Sequence, residues 1–319
     1  MNVAVASLNT AIERLLVVDH HRPGTVHRLA DDRTLPGGKP VNVARVLHQI
    51  GAVRPVLFGF AGGPTGRLFR DLLSGAGLAG EWVATANPTR VCETLVDTSD
   101  PDGATVYNAA GPRVAPNEVA ALDDLARTVV AQADALALTG SLPPGVPDGW
   151  YGELITEAAA YGVVTLLDTR GPALIAGAEA GPTIIKINRD ELAAAGPDPA
   201  VTIASWRSAG ARCVIVTDGA YPTTAVTPDG TYTVAPAPIP ARSAIGSGDA
   251  HAAGLLTSLL TDPAAGWPGH LRYAAACGAS NAAGILPGLH PDLDLRELAA
   301  TVRVDPAGPS PFPRHRGTP

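Results

Sequence analysis

From about Pro116 onward, helix-like segments alternate with short apolar strands rich in β-branched residues. The helical pattern covers Asn117–Ala131 and Asp148–Tyr161. The strands read as Ala135–Thr139, Val163–Asp168, Thr183–Lys186 and Cys213–Thr217. Strands that are apolar throughout, rather than every second residue, are buried on both faces, and helices are what cover them. That rhythm restricts the fold to a mostly parallel sheet with helices on both sides. The first part of the chain supplies compatible pieces: a strand at Asn2–Leu8, a helix at Val41–Ile50 closed by Gly51, a strand at Val53–Phe60 and a helix at Gly66–Ser74. Two helices near Asp249–Leu260 and Leu271–Ala283 follow a hairpin of Thr223–Val226 and Thr231–Ala235.

Two stretches break the rhythm. Residues 10–36 are polar and β-capable, with a Pro23-Gly24 turn. Residues 87–109 read as a hairpin of Arg90–Val96 and Ala104–Asn108, joined by Ser99-Asp100-Pro101-Asp102-Gly103. Strand insertions into an α/β domain can pair into a small sheet over its face, and the two stretches are predicted to form such a lid. The core then comprises 1–9, 37–86 and 110–304, and the proline-rich segment 305–319 is expected to be a flexible tail.

Composition sets the outer limits. With 319 residues, 46% of them apolar and 17% charged, the chain can bury one large core. A net charge of −7 without basic runs argues against nucleic-acid or anionic-membrane binding. Cys92, Cys213 and Cys277 show no metal-ligand spacing and read as buried thiols. No basic-then-apolar leader opens the sequence, and no apolar run reaches the roughly 18–20 residues of a bilayer span, so a cytoplasmic location is expected.

Two glycine motifs carry chemistry. In Gly246-Ser247-Gly248-Asp249, small residues precede a helix, so free N–H groups can face a phosphate or a developing oxyanion. An aspartate there can take a proton from an attacking hydroxyl, or simply cap the helix. In Pro36-Gly37-Gly38-Lys39-Pro40-Val41-Asn42, a Gly-Gly turn leads into a helix whose first turn holds Lys39 and Asn42. That arrangement suits a hydroxylated ligand, or it is an ordinary loop-to-helix junction with proline near its start.

Taken together, these segments make the sequence similar to the PfkB (ribokinase-like) carbohydrate kinase family. The resemblance is strongest to its hexose-phosphate branch of 1-phosphofructokinases and tagatose-6-phosphate kinases. Leu8-Asn9, Pro36–Arg45, Thr89-Arg90, Gly140–Gly145, Lys186–Glu191 and Gly246–Asp249 fall in the family's order from Asn2 to about Val302. The resemblance implies a three-layer α/β/α fold with a β lid, and ATP and Mg²⁺ as cofactors, with a monovalent cation as a further candidate. It implies Asp249 as general base and Gly246, Ser247 and Gly248 as the anion hole. Asn188 and Glu191 match an Asn-x-x-Glu motif that organises Mg²⁺ and its waters. Their spacing also fits a helix-capping pair. Lys186, Thr217, Gly219 and Asn281 are implied at the nucleotide, with Asn281 on the adenine side and Asp168 supporting the metal. Glu13, Gly37, Gly38, Lys39, Asn42, Arg90 and Ser141 are implied at the sugar. Arg90 would hold a phosphate already on the substrate through charge-assisted bonds, with Lys39 adding charge and Arg28 a weaker third. Paired lids imply a homodimer.

The departures from the family pattern fall on the sugar side. Glu13 stands where an aspartate is usual, Pro40 replaces a glycine, and Val106 replaces an acidic residue. His251 replaces a large apolar residue after Gly-Asp-Ala. The expected activity is ATP-dependent phosphorylation of a ketohexose phosphate. The alternatives are a kinase for an unphosphorylated sugar or nucleoside, and a non-catalytic sugar-phosphate-binding module.

Overall fold

A computed structural model describes residues 1–99 and 104–308. Among these, seven parallel strands make the body of the main sheet: β1 (Asn2–Ser7), β4 (Arg54–Phe60), β5 (Gly80–Val83), β8 (Ala135–Thr139), β9 (Val164–Asp168), β10 (Ile184–Asn188) and β11 (Cys213–Asp218). Three antiparallel strands extend one edge: β12 (Tyr221–Thr227), β13 (Gly230–Val234) and β14 (Val304–Pro306). The spatial order is β14-β13-β12-β11-β10-β9-β8-β1-β4-β5. The sheet therefore starts at β1 and grows outward in both directions, which opens a crevice beside β1.

Side-chain alternation explains why both faces need cover. On β1, Val3 and Val5 join one core, whereas Ala4 and Ala6 join the other. The first core is closed mainly by α1 (Lys39–Ile50), α2 (Gly63–Gly75), α8 (Ser247–Thr261), α9 (Gly266–Ala282) and α10 (Leu295–Thr301). The second is closed by α3 (Pro116–Val130), α4 (Trp150–Ala160), α5 (Pro172–Glu179), α6 (Arg189–Ala195) and α7 (Pro199–Ala209). All three cysteines are buried free thiols.

A separate four-stranded sheet has the order β3-β2-β6-β7, with β2 (Ala11–Val18), β3 (Asp31–Gly37), β6 (Arg90–Asp97) and β7 (Ala104–Tyr107). The two irregular stretches of sequence thus pair with each other. β2 runs parallel to β6 from Ala11↔Arg90 to Val18↔Asp97, and β3 and β7 flank them antiparallel. The turn predicted at Asp100–Gly103 lies outside the described residues, as do residues 309–319 of the expected tail. The start of that tail requires correction. Asp305 and Pro306 pair with Thr233 and Tyr232 of β13, because the exposed edge of β13 offers backbone partners that polar, proline-bearing sequence does not advertise. Among the described residues, no helix is long and apolar enough to cross a membrane.

Candidate active site

A cavity of about 450 Å³ opens between the small sheet and the C-terminal ends of β9, β10 and β11. It gathers Glu13, Gly37, Gly38, Lys39, Asn42, Asp168, Lys186, Asn188, Glu191, Thr217, Gly219, Gly246, Gly248 and Asp249 into one lining. Ligands of open α/β sheets bind at this end, where loops leave the strands. A wider groove of about 990 Å³ runs between α8, α9 and α10 and contains none of the predicted site residues.

The floor of the cavity is the start of α8. Gly246 has φ 80°, a left-handed conformation that side chains resist, and it turns the chain into the helix. The amides of Gly246, Gly248 and Asp249 have no acceptor among the described residues, whereas Ser247 N–H donates to Ala244 O and Ala250 N–H to Gly246 O. The open amides and the positive end of the helix create a local preference for an anion. Asp249 is only 5% exposed. Its Oδ2 accepts from Asn42 Nδ2 at 2.9 Å, which leaves Oδ1 without a partner among the described residues. Burial pushes its pKa up to about 6, against the opposing pull of Lys39; nearby Asp168 pushes it further up.

Asn42 is held in turn. Arg45, three residues further along α1, donates to Asn42 Oδ1 at 2.9 Å and to Pro36 O at 2.9 Å. Arg45 was not among the predicted site residues, although its i, i+3 spacing from Asn42 is a signal for it. Pro40 occupies the first turn of α1, where a helix N–H has no intrahelical acceptor, so the replacement leaves the helix intact.

Asp168 sits between two ammonium groups. Lys39 Nζ donates to its Oδ1 and Lys186 Nζ to its Oδ2, both at 2.7 Å. Burial pushes the Asp168 pKa up, but Lys186 and Lys39 outweigh it and hold the group well below the usual carboxylate range. Asp168 in turn raises the pKa of Lys39, against the cost of burial. Lys39 Nζ also lies 3.9 Å from Glu191 Oε1. Lys39, expected to add charge at the sugar phosphate, is thus committed to the acidic side of the cavity. Asp168, expected to support a metal, has both oxygens occupied by lysines. Gly248 lies against this cluster: a Cβ there would come within 3.1 Å of Lys186 Nζ.

Asn188 and Glu191 form a reciprocal cap at the start of α6. Glu191 N–H donates to Asn188 Oδ1 at 2.8 Å, and Asn188 N–H to Glu191 Oε2 at 2.9 Å. The cap fixes the Glu191 carboxylate and leaves Oε1 facing Lys39.

On the other side of the cavity, Glu13 accepts a hydrogen bond from Thr94 Oγ1 on the neighbouring strand. Gly37 makes room for it: a Cβ on Gly37 would come within 2.6 Å of Glu13 Cβ. Val106 and Asn108 also face the cavity, whereas Arg28 is an exposed loop residue outside it. Arg90 and Ser141 stand beside the cavity rather than in its lining. Asn9 links them: its Nδ2 donates to Ser141 Oγ at 2.9 Å, and its carbonyl accepts from Arg90 Nη2 at 2.8 Å. Arg90 Nη1 donates to Ala109 O at 2.6 Å.

The structure does not bring Asn281 to the cavity. It is 1% exposed, and its Nδ2 donates to Ile245 O and Ser247 Oγ while its Oδ1 accepts from Gly288 N–H. Every polar atom is used to brace the turn before α8, so the predicted adenine contact is corrected to a supporting one. Ser247 is likewise beside the lining, with its Oγ occupied by Asn281. His251 is packed inside α8, and its ring nitrogens have no partner among the described residues. Burial, aided by the charge of Lys186 and opposed by Asp168, lowers its pKa to about 3, so it stays neutral.

The sequence model for the pfkB family carbohydrate kinase matches residues 1–284. A 1-phosphofructokinase from Rhodobacter capsulatus is 32% identical over 312 residues, covering 95% of this chain and 98% of that protein. A 1-phosphofructokinase from Xanthomonas campestris is 30% identical over 273 residues, covering 82% and 85%. The crystal structure of a possible 1-phosphofructokinase from Thermotoga maritima superposes with a TM-score of 0.86 at 22% identity, covering 97% of this chain and all of that one. The family match covers the residues of the helix start, the lysine–aspartate cluster and the four-stranded sheet. The chain therefore belongs to the pfkB family of carbohydrate kinases, ATP-dependent enzymes that phosphorylate sugars.

Proposed function

We propose that this kinase transfers the γ-phosphoryl group of ATP to a primary hydroxyl of a ketohexose phosphate, with Asp249 as the general base. Fructose 1-phosphate, fructose 6-phosphate and tagatose 6-phosphate are the candidates. The observation that carries the reaction type is Asp249 itself: a buried carboxylate with one oxygen fixed by Asn42 and the other open, beside unsatisfied amides. Two relatives with the name 1-phosphofructokinase support the substrate class.

The chemistry follows from these positions. The substrate hydroxyl donates to Asp249 Oδ1. Asp249 takes its proton as the oxygen attacks the γ-phosphorus, and the bond to the β–γ bridging oxygen breaks, its electron pair leaving with ADP. The amides of Gly246, Gly248 and Asp249 are fixed donors for charge developing on the transferring group, and need no reorganisation. Lys186, buried against Gly248, adds a positive charge at the same point. Arg45 and Asn42 keep the base oriented.

Mg²⁺ fits one part of this site and not another. Glu191 Oε1 and the exposed Asn188 are available to hold its water shell, whereas Asp168 is consumed by two lysines. Among the described residues no cluster of three acidic, His or Cys side chains forms a cage, which suits an ion bound largely through nucleotide phosphates and water. When bound, Mg²⁺ neutralises charge on those phosphates.

The test is ATP consumption by the purified chain against a panel of hexose phosphates, free sugars and nucleosides. Turnover confined to hexose phosphates is expected. A second reading, a kinase for an unphosphorylated sugar, draws on the bonds that tie Arg90 to backbone carbonyls, and turnover of free sugars alone would establish it. Arg90→Ala is expected to raise the KM for the sugar phosphate by roughly ten- to a hundredfold, the weight of a charge-assisted contact. The KM for ATP should stay within twofold in the same assays; an equal rise in both would remove Arg90 from the phosphate.

A further inference from the structure

Arg45 holds more than the partner of the base. From one position on α1 its guanidinium reaches three separate parts of the chain. Nη1 donates to Asn42 Oδ1 at 2.9 Å, Nη2 donates to Pro36 O at 2.9 Å, and Pro287 O lies 3.5 Å from Nη1. Asn42 carries the bond to Asp249, Pro36 belongs to the lid, and Pro287 belongs to the loop after α9 that walls the cavity.

The contact with Asn42 sets a polarity. A guanidinium only donates, so the Asn42 amide turns its oxygen toward Arg45. Its NH2 group then faces Asp249, and Nδ2 donates to Oδ2. With the amide reversed, its oxygen would meet the carboxylate, a repulsion that protonation of Asp249 relieves. Arg45 therefore decides whether Asn42 supports the carboxylate that the reaction needs or the acid that it cannot use. Burial lowers the Arg45 pKa and the Asp249 charge opposes it, so the two groups also sense each other directly.

The contact with Pro36 spans a hinge. β3 runs into α1 through Gly37-Gly38, and Gly38 has φ 99°, a conformation open to glycine. Pro36 stands just before the glycine pair and is matched with Ile12 of β2. β3 is the edge strand of the lid, and Arg45 donates to a carbonyl of that edge. A swing of the lid about the glycines would draw Pro36 away from Arg45, and a fork with one prong free no longer holds the amide in one orientation. The loop after α9 keeps Arg45 from following the lid. A Cβ on Gly288 would come within 3.3 Å of Arg45 Cδ, and Gln49 Oε1, one turn further along α1, accepts from Leu289 N–H at 2.8 Å.

We infer that Arg45 is a positioning residue that couples the lid to the base, presenting Asp249 through Asn42 as an acceptor for the substrate hydroxyl while the β3 end of the lid is seated. The inference rests on Asp249 being the base, and it adds a reason for that base to be aligned over bound sugar. Glu13, Leu35 and Pro36 of the lid all line the cavity, so a sugar bound there seats the strand end that Arg45 holds.

The experiment is steady-state kinetics of full-length Arg45→Gln, Arg45→Lys, Asn42→Ala and the Arg45→Gln/Asn42→Ala double variant. The substrate is whichever of fructose 1-phosphate, fructose 6-phosphate, tagatose 6-phosphate and fructose the wild type phosphorylates. Arg45→Gln should lower kcat by roughly ten- to a hundredfold and raise the sugar KM several-fold. Glutamine can accept as well as donate, so it does not fix the Asn42 amide. The bond from Asn42 lowers the Asp249 pKa, so its loss should move the acid limb of kcat/KM above the wild-type value of about 6. Lys39, Asp168 and Lys186 also act on Asp249, and they are unchanged in these variants. Arg45→Lys donates only, so it should return the acid limb toward the wild-type position and recover part of kcat without the planar fork. The double variant should match Asn42→Ala in kcat, because Arg45 acts on the base through Asn42, while its sugar KM still rises above that of Asn42→Ala. Asn42→Ala leaves Arg45 in place and should displace the acid limb in the same direction, which keeps the test open if Arg45→Gln folds poorly. A wild-type acid limb and kcat in Arg45→Gln overturn the inference and leave Asp249 as the base. Losses in kcat that multiply in the double variant, or an unmoved sugar KM, also overturn it. Wild-type turnover in Asp249→Asn overturns the base reading, and the coupling with it.

Discussion

Asp249→Asn should lower kcat by roughly 10²–10⁴-fold, the usual weight of a positioned general base, while the equilibrium affinities for ATP and for the sugar change little. The amide keeps the size of the carboxylate and can still accept from Asn42, so the pocket should persist without the base. Binding titrations beside single-turnover rates check both halves. Wild-type turnover in the variant would end the base assignment, and loss of binding would mean that the carboxylate holds the substrate rather than deprotonates it. The pH profile offers an independent check. Burial raises the Asp249 pKa to about 6, so the free enzyme's kcat/KM should fall tenfold per pH unit below about 6 and level off above it.

The same elevated pKa bears on stability, with a definite sign. Asp249 ionises near pH 4 when unfolded and about 6 when folded. Between those values the folded state holds more protons, so this group's contribution falls as pH rises, and above about 6 it is fully unfavourable. Asn at this position carries no charge. Asp249→Asn is therefore expected to be more stable than the wild type at pH 8, on the order of 2–3 kcal/mol, and to lose that advantage below about pH 4. A variant that melts higher and no longer turns over would mark a site built for reaction at the expense of stability.

The regular elements were legible because their signals are local. Ala135–Thr139 reads as a strand from five apolar or β-branched residues, and β8 has those bounds. The two stretches that broke the α/β rhythm were recognisable as β, and the structure pairs them into one sheet. Helices α5, α7 and α10 are not legible in the sequence, and α6 only through its Asn188–Glu191 start, for a physical reason. α5 is eight residues of mostly Ala, Gly and Pro, and α6 is Arg-Asp-Glu-Leu followed by three alanines, so neither shows a 3.6-residue contrast between faces. Strand β14 exists only because β13 offers an edge. In the site, the two glycine motifs and the Asn188–Glu191 pair were legible from short-range spacing. The double lysine clamp on Asp168 was not: Lys39 and Lys186 are each within reach only through folding, 129 and 18 residues away in sequence. Asn281 misled for the opposite reason, since its long-range bonds to Ile245, Ser247 and Gly288 had already used its amide.

Asp168→Ala is expected to destabilise the chain by roughly 3–5 kcal/mol, because it leaves a buried ammonium unpaired. The cost should fall mainly on Lys186. That side chain is 4% exposed, whereas Lys39 is 41% exposed and has Glu191 3.9 Å away as a substitute partner. At this chain length the loss corresponds to roughly 4–8 °C in melting temperature. Asp168→Leu combined with Lys186→Met removes both members of the buried pair, and should be less destabilising than the sum of the single changes. If the double variant lost as much as the sum, the lysine would owe its stability to something other than Asp168. The pH dependence separates this carboxylate from its neighbour. The two lysines depress the Asp168 pKa, so its contribution is complete above the unfolded value near 4 and is lost as pH falls below that. Wild type and Asp168→Ala should therefore begin to converge as pH falls below about 4, whereas the Asp249→Asn advantage grows between about pH 4 and pH 6. Two carboxylates in one cavity thus carry opposite charge preferences: Asp168 is fixed as an anion between lysines, and Asp249 is left able to gain a proton near neutrality, as a base must.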